Sequence, residues 1–276
     1  MTHETDGPDG ATNPWELLVL AEHAARAAAA FIVDRRPADL GVAETKSSPT
    51  DVVTEMDTGA EQLIRKAILD RRPNDAFLGE EGGEDGGASG VRWVIDPIDG
   101  TVNYLYGLSA FAVSIGVEAD GVTVAAVVAA PRFDEVYTAV LGAGAWCNGL
   151  PIKARPATDL AGALVATGFG YRAQRRERQG AIVGALLPRV RDIRRAGSAA
   201  LDLCAVAAGR IDGYFERGTQ AWDRSAGALV ASEAGALVGG FHGRQASEEI
   251  VIAAPSGTFA VLHDALVELG ADASDY

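Results

Sequence analysis

Apolar residues recur at helical spacing near the start of the chain and again around residue 60, and beyond residue 75 the spacing changes character. Asn13-Pro14-Trp15-Glu16 reads as a helix start: Asn can cap, Pro suits the first helical position, and Glu three residues after the cap can reach back to its amide. An Ala-rich helix to about Asp34 follows. Ala60, Leu63, Ile64, Ala67 and Ile68 predict a second helix over about 57–71, with Pro73 beyond its end. The polar stretch 46–57 lies between the two.

From residue 76 to 153, short apolar runs rich in β-branched and aromatic residues predict an antiparallel sheet. They are punctuated by the hairpin signals Asp120-Gly121, Gly142-Ala143-Gly144 and Asn148-Gly149. Within this region residues 82–90 are Gly-rich and acidic and read as a mobile loop directly after Glu80-Glu81. Beyond about Leu160, apolar runs at 163–167, 212–216 and 250–253 alternate with helical patterns near 175–187, 199–208, 226–234 and 256–269. That texture is α/β. The expected organisation is a disordered tail over 1–12, an α+β region over 13–155 and an α/β region over 156–276. No internal repeat and no long linker interrupts it.

Composition narrows the partners. With 276 residues, 48% of them apolar, the chain can build one large domain or two compact ones. Its 24 Lys+Arg against 38 Asp+Glu give a net charge of -14, which repels nucleic-acid phosphates and anionic lipid. A small phosphate ester would need bound cations to bring the two anions together. Cys147 and Cys204 show no zinc-type spacing and read as buried free thiols. No apolar run reaches the roughly 18 residues of a membrane span, so a soluble cytoplasmic protein without a membrane partner is expected.

Candidate chemistry centres on Asp96-Pro97-Ile98-Asp99-Gly100-Thr101, which ends the apolar run 91–95. Pro97 fixes its own φ and disfavours helix at Asp96, while Gly100 permits unusual backbone geometry, so both acids and a main-chain carbonyl can aim at one point. Converging hard oxygen donors suit Mg²⁺ or Ca²⁺ rather than zinc. Alone, the segment reads equally as an ordinary polar turn. Further acids shift that balance: Glu80 and Glu81 after a short apolar run, Asp223 after Trp222 at a helix start, and Asp51 and Asp57, spaced after Lys46, before the second helix.

Five stretches together resemble the inositol monophosphatase family of metal-dependent phosphatases, in the family's order and over nearly the whole chain. They are K-S-S-P-T-D-V-V-T-E-M-D at 46–57, G-E-E at 79–81, W-V-I-D-P-I-D-G-T-V-N-Y at 93–104, R-R-A-G-S-A-A-L-D-L at 194–203 and A-W-D-R-S-A-G at 221–227. The resemblance implies a layered αβαβα sandwich with the site between its halves. It implies one Mg²⁺ held by Glu80, Asp96 and the Ile98 carbonyl, a second by Asp96, Asp99 and Asp223, and a weaker third near Glu80 and Asp57. Two such cations about 3.5 to 4 Å apart can clamp the attacking and leaving oxygens of an in-line displacement. Thr101, Asp57 and Glu80 are then the catalytic groups acting on a metal-activated water. Phosphate oxygens would meet the Gly100 and Thr101 amides, and substrate hydroxyls the Gly197-Ser198-Ala199 backbone and Glu216. The implied reaction is hydrolysis of myo-inositol monophosphate, with Li⁺ as inhibitor and a homodimer as the assembly. Related histidinol-phosphate, fructose-1,6-bisphosphate and 3′-phosphonucleotide phosphatases share the metal acids. A non-catalytic regulatory protein on the same fold is the alternative of another class.

Other signals fall away. Gly168-Phe169-Gly170 with Ala173 formally fits a dinucleotide fingerprint, but no βαβ unit of the right layout follows, so a turn near the polyol pocket is expected. His3, His23, His242 and His263 lie outside every motif, against histidine chemistry or a Ser-His triad. Asp96 and Asp99 are separated by two residues, unlike D-x-D-x-T phosphatases, and no calcium-loop pattern is present. Arg172, Arg175, Arg176 and Arg178, then Arg189, Arg191, Arg194 and Arg195, read as solvated helix-face charge, with a substrate-phosphate or partner contact as the alternative.

Overall fold

The structure, a computed structural model, describes residues 13–42, 44–45 and 52–273. Lys46 and Asp51, and the expected tail over 1–12, lie outside the described residues. Helix α1 (Pro14–Asp34) begins at the expected cap, where the Asn13 side chain accepts the Trp15 amide at 3.0 Å; Glu16 reaches back to the Asn13 side-chain amide, at 3.2 Å, instead of its backbone amide. Its small residues Ala21, Ala24, Ala25, Ala28 and Ala29 form a buried face. Helix α2 (Glu55–Leu69) starts at a reciprocal cap between Thr54 and Asp57 and buries Met56, Ala60, Ile64 and Ile68.

Strands β1 (Glu44–Thr45) and β2 (Val52–Val53) form a small ladder. An eight-stranded sheet follows, built from β3 (Ala76–Gly79), β4 (Gly83–Asp85), β5 (Val91–Asp99), β6 (Ala112–Ala119), β7 (Val122–Ala130), β8 (Glu135–Val140), β9 (Gly144–Cys147) and β10 (Leu150–Pro151). Its order is β10-β9-β8-β7-β6-β5-β3-β4. The expected antiparallel pattern holds except between β3 and β5, which pair in parallel across the crossing segment that contains β4. Residues 83–85, expected to be loop, add an exposed edge strand, because backbone pairing with β3 needs no apolar side chains. Asp120-Gly121 and Asn148-Gly149 make their hairpin turns with positive φ at both residues, as the type I′ geometry requires.

The second sheet joins β11 (Leu164–Thr167), β12 (Asp192–Arg194), β13 (Gly213–Glu216), β14 (Leu237–Gly239) and β15 (Val251–Ala254) in the order β12-β11-β13-β15-β14. The three strands β12, β11 and β13 run in parallel, and β15 pairs antiparallel to both its neighbours. After the five-residue α3 (Thr101–Leu105) come α4 (Ala173–Leu186), α5 (Ala199–Ala207), α6 (Ala221–Glu233) and α7 (Ser256–Glu268). The polar first turn of α6 places its start five residues before the apolar pattern that predicted it at 226.

Three cores show the layering. One packs α1 and α2 on the eight-stranded sheet; the second fills the space between the two sheets with α5 and α6; the third covers the five-stranded sheet with α4 and α7. The stack is therefore αβαβα. Its middle core is dominated by alanines, among them Ala126, Ala139, Ala200, Ala207, Ala226 and Ala253, which let helices and sheets approach closely. Both cysteines are free; Cys204 is buried as expected, but Cys147 is only partly so because β9 lies near the sheet edge. No helix among the described residues is long and apolar enough to cross a membrane.

Short α3 is anchored across layers. The buried Tyr104 hydroxyl donates to the Ile32 carbonyl of α1 at 2.7 Å, and the Tyr104 ring meets Phe111 edge-on. Replacing Tyr104 by Phe strands that carbonyl and is expected to lower the unfolding free energy by about 1–3 kcal/mol in a urea titration. An unchanged midpoint would show that the anchor contributes nothing.

Candidate active site

Strand β5 delivers two acids at a break in its ladder. Asp96 pairs with Ser114 and Asp99 with Ala112, so one extra residue is accommodated where Pro97 has no amide to offer. The Asp96 side chain turns back to accept the Ile98 amide at 3.0 Å. Asp99 reaches across to α5, where its Oδ2 accepts the Ser198 hydroxyl at 2.6 Å and the Ala200 amide at 2.7 Å. Just past β3, the Glu80 amide donates to the Ile95 carbonyl at 3.1 Å, which sets Glu80 beside Asp96. Asp223 lies in the first turn of α6 and accepts the Gln220 amide at 2.6 Å. Three elements thus bring four acids to one place, with the amide-rich starts of α5 and α6 facing them.

Asp57 approaches from the outer helical layer. Its Oδ2 accepts the Thr54 amide at 2.9 Å and the Thr54 hydroxyl at 2.5 Å, leaving Oδ1 for the Thr101 hydroxyl at 3.1 Å. The same hydroxyl lies 3.0 Å from the Ile98 carbonyl. Gly100 makes this possible: its φ of 96° is left-handed, and a Cβ there would sit 2.8 Å from the Ala110 carbonyl oxygen and 3.1 Å from that of Gly197. The turn into α3 and the turn into α5 therefore touch through backbone alone. Asn103 locks them together, donating to Ala110 at 2.6 Å and to Ala196 at 2.8 Å.

These groups line a cavity of about 520 Å³. Glu80, Asp96, Ile98, Asp99, Gly100, Thr101, Gly197, Ser198, Ala199, Glu216 and Asp223 all contribute to its wall, and Asp57 stands behind Thr101. The Gly168-Phe169-Gly170 turn also lines it, beside Glu216. Glu216 accepts the Tyr214 hydroxyl at 2.9 Å. A larger cleft, about 950 Å³, runs along α1 and the end of α2 past Trp15, Leu20 and His23 and contains none of these acids.

Basic residues also stand in the wall, a position that solvated helix-face charge alone does not give. Arg172 and Arg175, at the start of α4, and Arg195 border the cavity instead of serving only as solvated charge. Helical spacing marks which faces are apolar, but the Arg172 and Arg175 positions depend on how α4 meets the Gly168-Phe169-Gly170 turn. The neighbouring Gly218 and Gly170 leave the room that the Arg175 side chain occupies. Trp222, Gln220 and Glu248 also border the cavity; Trp222 stood inside a motif, whereas nothing in the sequence marked Glu248.

Burial dominates the electrostatics. It pushes the Asp57 carboxyl up to about 6 against the opposing Thr54 hydrogen bonds, and the Asp99 carboxyl up to about 6 against those from Ser198 and Ala200. Asp96 is held well above the carboxylate range by burial and then by the charges of Glu80, Asp99 and Asp223. Asp223 is raised likewise by burial, Asp99 and Glu80. Glu216, removed from bulk water, lies at about 7. The cluster as the chain builds it has surplus negative charge and hard oxygen donors only, which is the donor chemistry of Mg²⁺ or Ca²⁺. Among the described residues no three His, Cys, Asp or Glu side chains close into a ready-made cage.

The model of the inositol monophosphatase family matches residues 13–271. The inositol-1-monophosphatase SuhB of Mycobacterium tuberculosis is 46% identical over 243 residues, covering 82% of this chain and 84% of the relative. The Nus factor SuhB of Vibrio cholerae is 41% identical over 251 residues, covering 89% and 94%. In three dimensions the extragenic suppressor protein suhB of Bartonella henselae superposes with a TM-score of 0.85 at 34% identity, covering 91% of this chain and 98% of that structure.

Raised carboxyl values have a definite consequence for stability. A carboxylate whose folded value exceeds its unfolded one is penalised when charged, so the native state binds more protons and stability falls as pH rises through the folded value. For Asp57 and Asp99 that window runs from about 4 to about 6. In the presence of a chelator, unfolding by urea should therefore need less denaturant at pH 6.5 than at pH 4.5, and added Mg²⁺ should reduce the difference. A chelated protein that is equally or more stable at the higher pH would contradict the charge surplus.

Proposed function

We propose that this chain, which belongs to the inositol monophosphatase family, hydrolyses a phosphate monoester with divalent cations as cofactor, and that its substrate is myo-inositol monophosphate. The observation that supports this reading most is the meeting of Glu80, Asp96, Asp99 and Asp223 in one cavity beside the Thr101–Asp57 pair. Glu80, Asp96 and the Ile98 carbonyl would hold one Mg²⁺, and Asp96, Asp99 and Asp223 a second. Bound there, the cations supply Lewis acidity towards the phosphoryl oxygens and the attacking water, and keep the carboxylates ionised.

The chain's own groups do the rest. The Thr101 hydroxyl, donating to Asp57 Oδ1, leaves its lone pairs to orient a water, and Asp57 is basic enough to receive the proton passed through that hydroxyl. The Gly100 and Thr101 amides would receive phosphate oxygens, where the transition state spreads its charge. At the far wall, Glu216 and the Gly197-Ser198-Ala199 backbone would take hydroxyls of the polyol. Tyr214 occupies Glu216 Oε2, which leaves Oε1 for substrate. The name of the M. tuberculosis relative supports inositol over histidinol phosphate, fructose 1,6-bisphosphate or a 3′-phosphonucleotide. We infer further a cytoplasmic homodimer.

The relatives named Nus factor SuhB favour a second reading, a regulatory role on the same fold. Intact Glu80, Asp96, Asp99, Thr101, Asp57 and Asp223 favour catalysis. With Mg²⁺ present, phosphate release from inositol 1-phosphate should exceed that from the other three esters and stop with EDTA. No release from any ester would leave the regulatory reading standing. Asp99→Asn is expected to lower release about 100-fold or more, since even groups that only support ligands change activity about 10- to 100-fold; a near wild-type rate would refute the site. Li⁺ should inhibit turnover in the presence of Mg²⁺, and indifference to high Li⁺ would count against the second cation position.

A further inference from the structure

Glu61 lies on α2, one turn beyond Asp57, and is 2% exposed. Its carboxylate does not border the cavity. Instead Oε2 accepts the Glu81 amide at 2.8 Å and Oε1 accepts the Gly82 amide at 3.0 Å. Arg65, the next turn along, donates from Nε to the same Oε1 at 2.7 Å, from Nη1 to Asp85 at 2.6 Å and from Nη2 to the Gly83 carbonyl at 3.0 Å. One helix thus grips the whole turn between β3 and β4.

The glycines around the acid pair fit this grip. A Cβ on Gly79 would lie 2.1 Å from Glu61 Oε1, and one on Gly82 would lie 2.6 Å from it. The carboxylate occupies the space that any side chain at those two positions would need. Glu80 is then fixed on both sides: its own amide is held by the Ile95 carbonyl of β5, and the next two amides by Glu61. A carboxylate that accepts two successive amides sets the direction of the chain leaving Glu80, and hence where the Glu80 side chain points.

We propose that Glu61 is a positioning residue, holding the Glu80-Glu81-Gly82 turn in the conformation that aims Glu80 at the cation site. This rests on the reading of Glu80 as a cation ligand given above. Because α2 also carries Asp57, a single helix registers two separate parts of the site, the proton acceptor and the Glu80 turn. Glu61→Gln keeps size and burial but replaces one acceptor by a donor facing an amide.

The test is a calorimetric titration of the chelator-stripped full chain with Mn²⁺ alone, without substrate. Glu61→Gln is expected to weaken cation binding about 10- to 100-fold, the range for groups that orient metal ligands. At saturating cation its KM for the ester should stay near wild type. Hydrogen exchange should quicken at the Glu81 and Gly82 amides and not along α2. Cation binding within twofold of wild type would overturn the proposal, even if the variant melts earlier. Should Glu61→Gln not fold, Gly79→Ala displaces the same carboxylate and should weaken binding similarly, yet add no loss in a Glu61→Ala background; independent, additive losses would overturn it. A wild-type chain that binds Mn²⁺ tightly but releases no phosphate sinks the phosphatase reading and leaves Glu61 to be judged on affinity. A wild-type chain that binds no cation overturns both.

Discussion

Carboxylates gathered in a cavity raise one another's charging cost, and the layout around Asp96 follows from containing that repulsion. Four of the acids are given their own donors from different directions. Asp99 rests on the Ser198 hydroxyl and the Ala200 amide, Asp223 on the Gln220 amide, Asp57 on Thr54 and Thr101, and Asp96 on the Ile98 amide. These contacts oppose burial without cancelling it, since Asp96 and Asp223 remain well above the ordinary carboxylate range. Residual negative charge in a walled cavity is a standing demand for cations.

The five-layer architecture makes such a gathering possible. Asp57 and Glu61 come from the outer helices, Glu80, Asp96 and Asp99 from one sheet, Ser198 and Asp223 from the helices between the sheets, and Glu216 from the second sheet. With Arg172 and Arg175 at the start of α4, all five layers contribute residues at the cavity wall or directly behind it. The turns that must touch there do so through glycine, and through Asn103, whose amide spans the two turns. Charge of both signs lines the cavity: the acids of β5 and α6, and Glu216, face arginines at the start of α4 and Arg195.

How much of this could be read from the residues depends on how local the cause is. Helix α1 was legible because its cap, proline and alanine face are consecutive in sequence, and the hairpins were legible because Asp120-Gly121 and Asn148-Gly149 demand positive φ. Residues 83–85 have the acidic, Gly-rich composition of a loop, while their strand is made by pairing with the backbone of β3. Strands β12 and β14 are illegible for a related reason: three residues at the rim of a sheet carry too little pattern. The acids of the cavity stood out because Asp96-Pro97-Ile98-Asp99-Gly100-Thr101 is a local device joined by a recognisable order of motifs. Arg172 and Arg175 did not, since only the packing of α4 on the Gly168-Phe169-Gly170 turn decides that they border the cavity. Glu61 gave no signal either, looking like one more surface acid on an amphipathic helix.

The most direct measurement is anomalous scattering from a crystal grown with Mn²⁺. Density within coordination distance of Asp96, shared with Glu80 on one side and with Asp99 and Asp223 on the other, is the expected result. Saturating Mn²⁺ that leaves no anomalous density at Asp96, or places it only elsewhere on the molecule, would contradict the assignment of this cluster as a cation site.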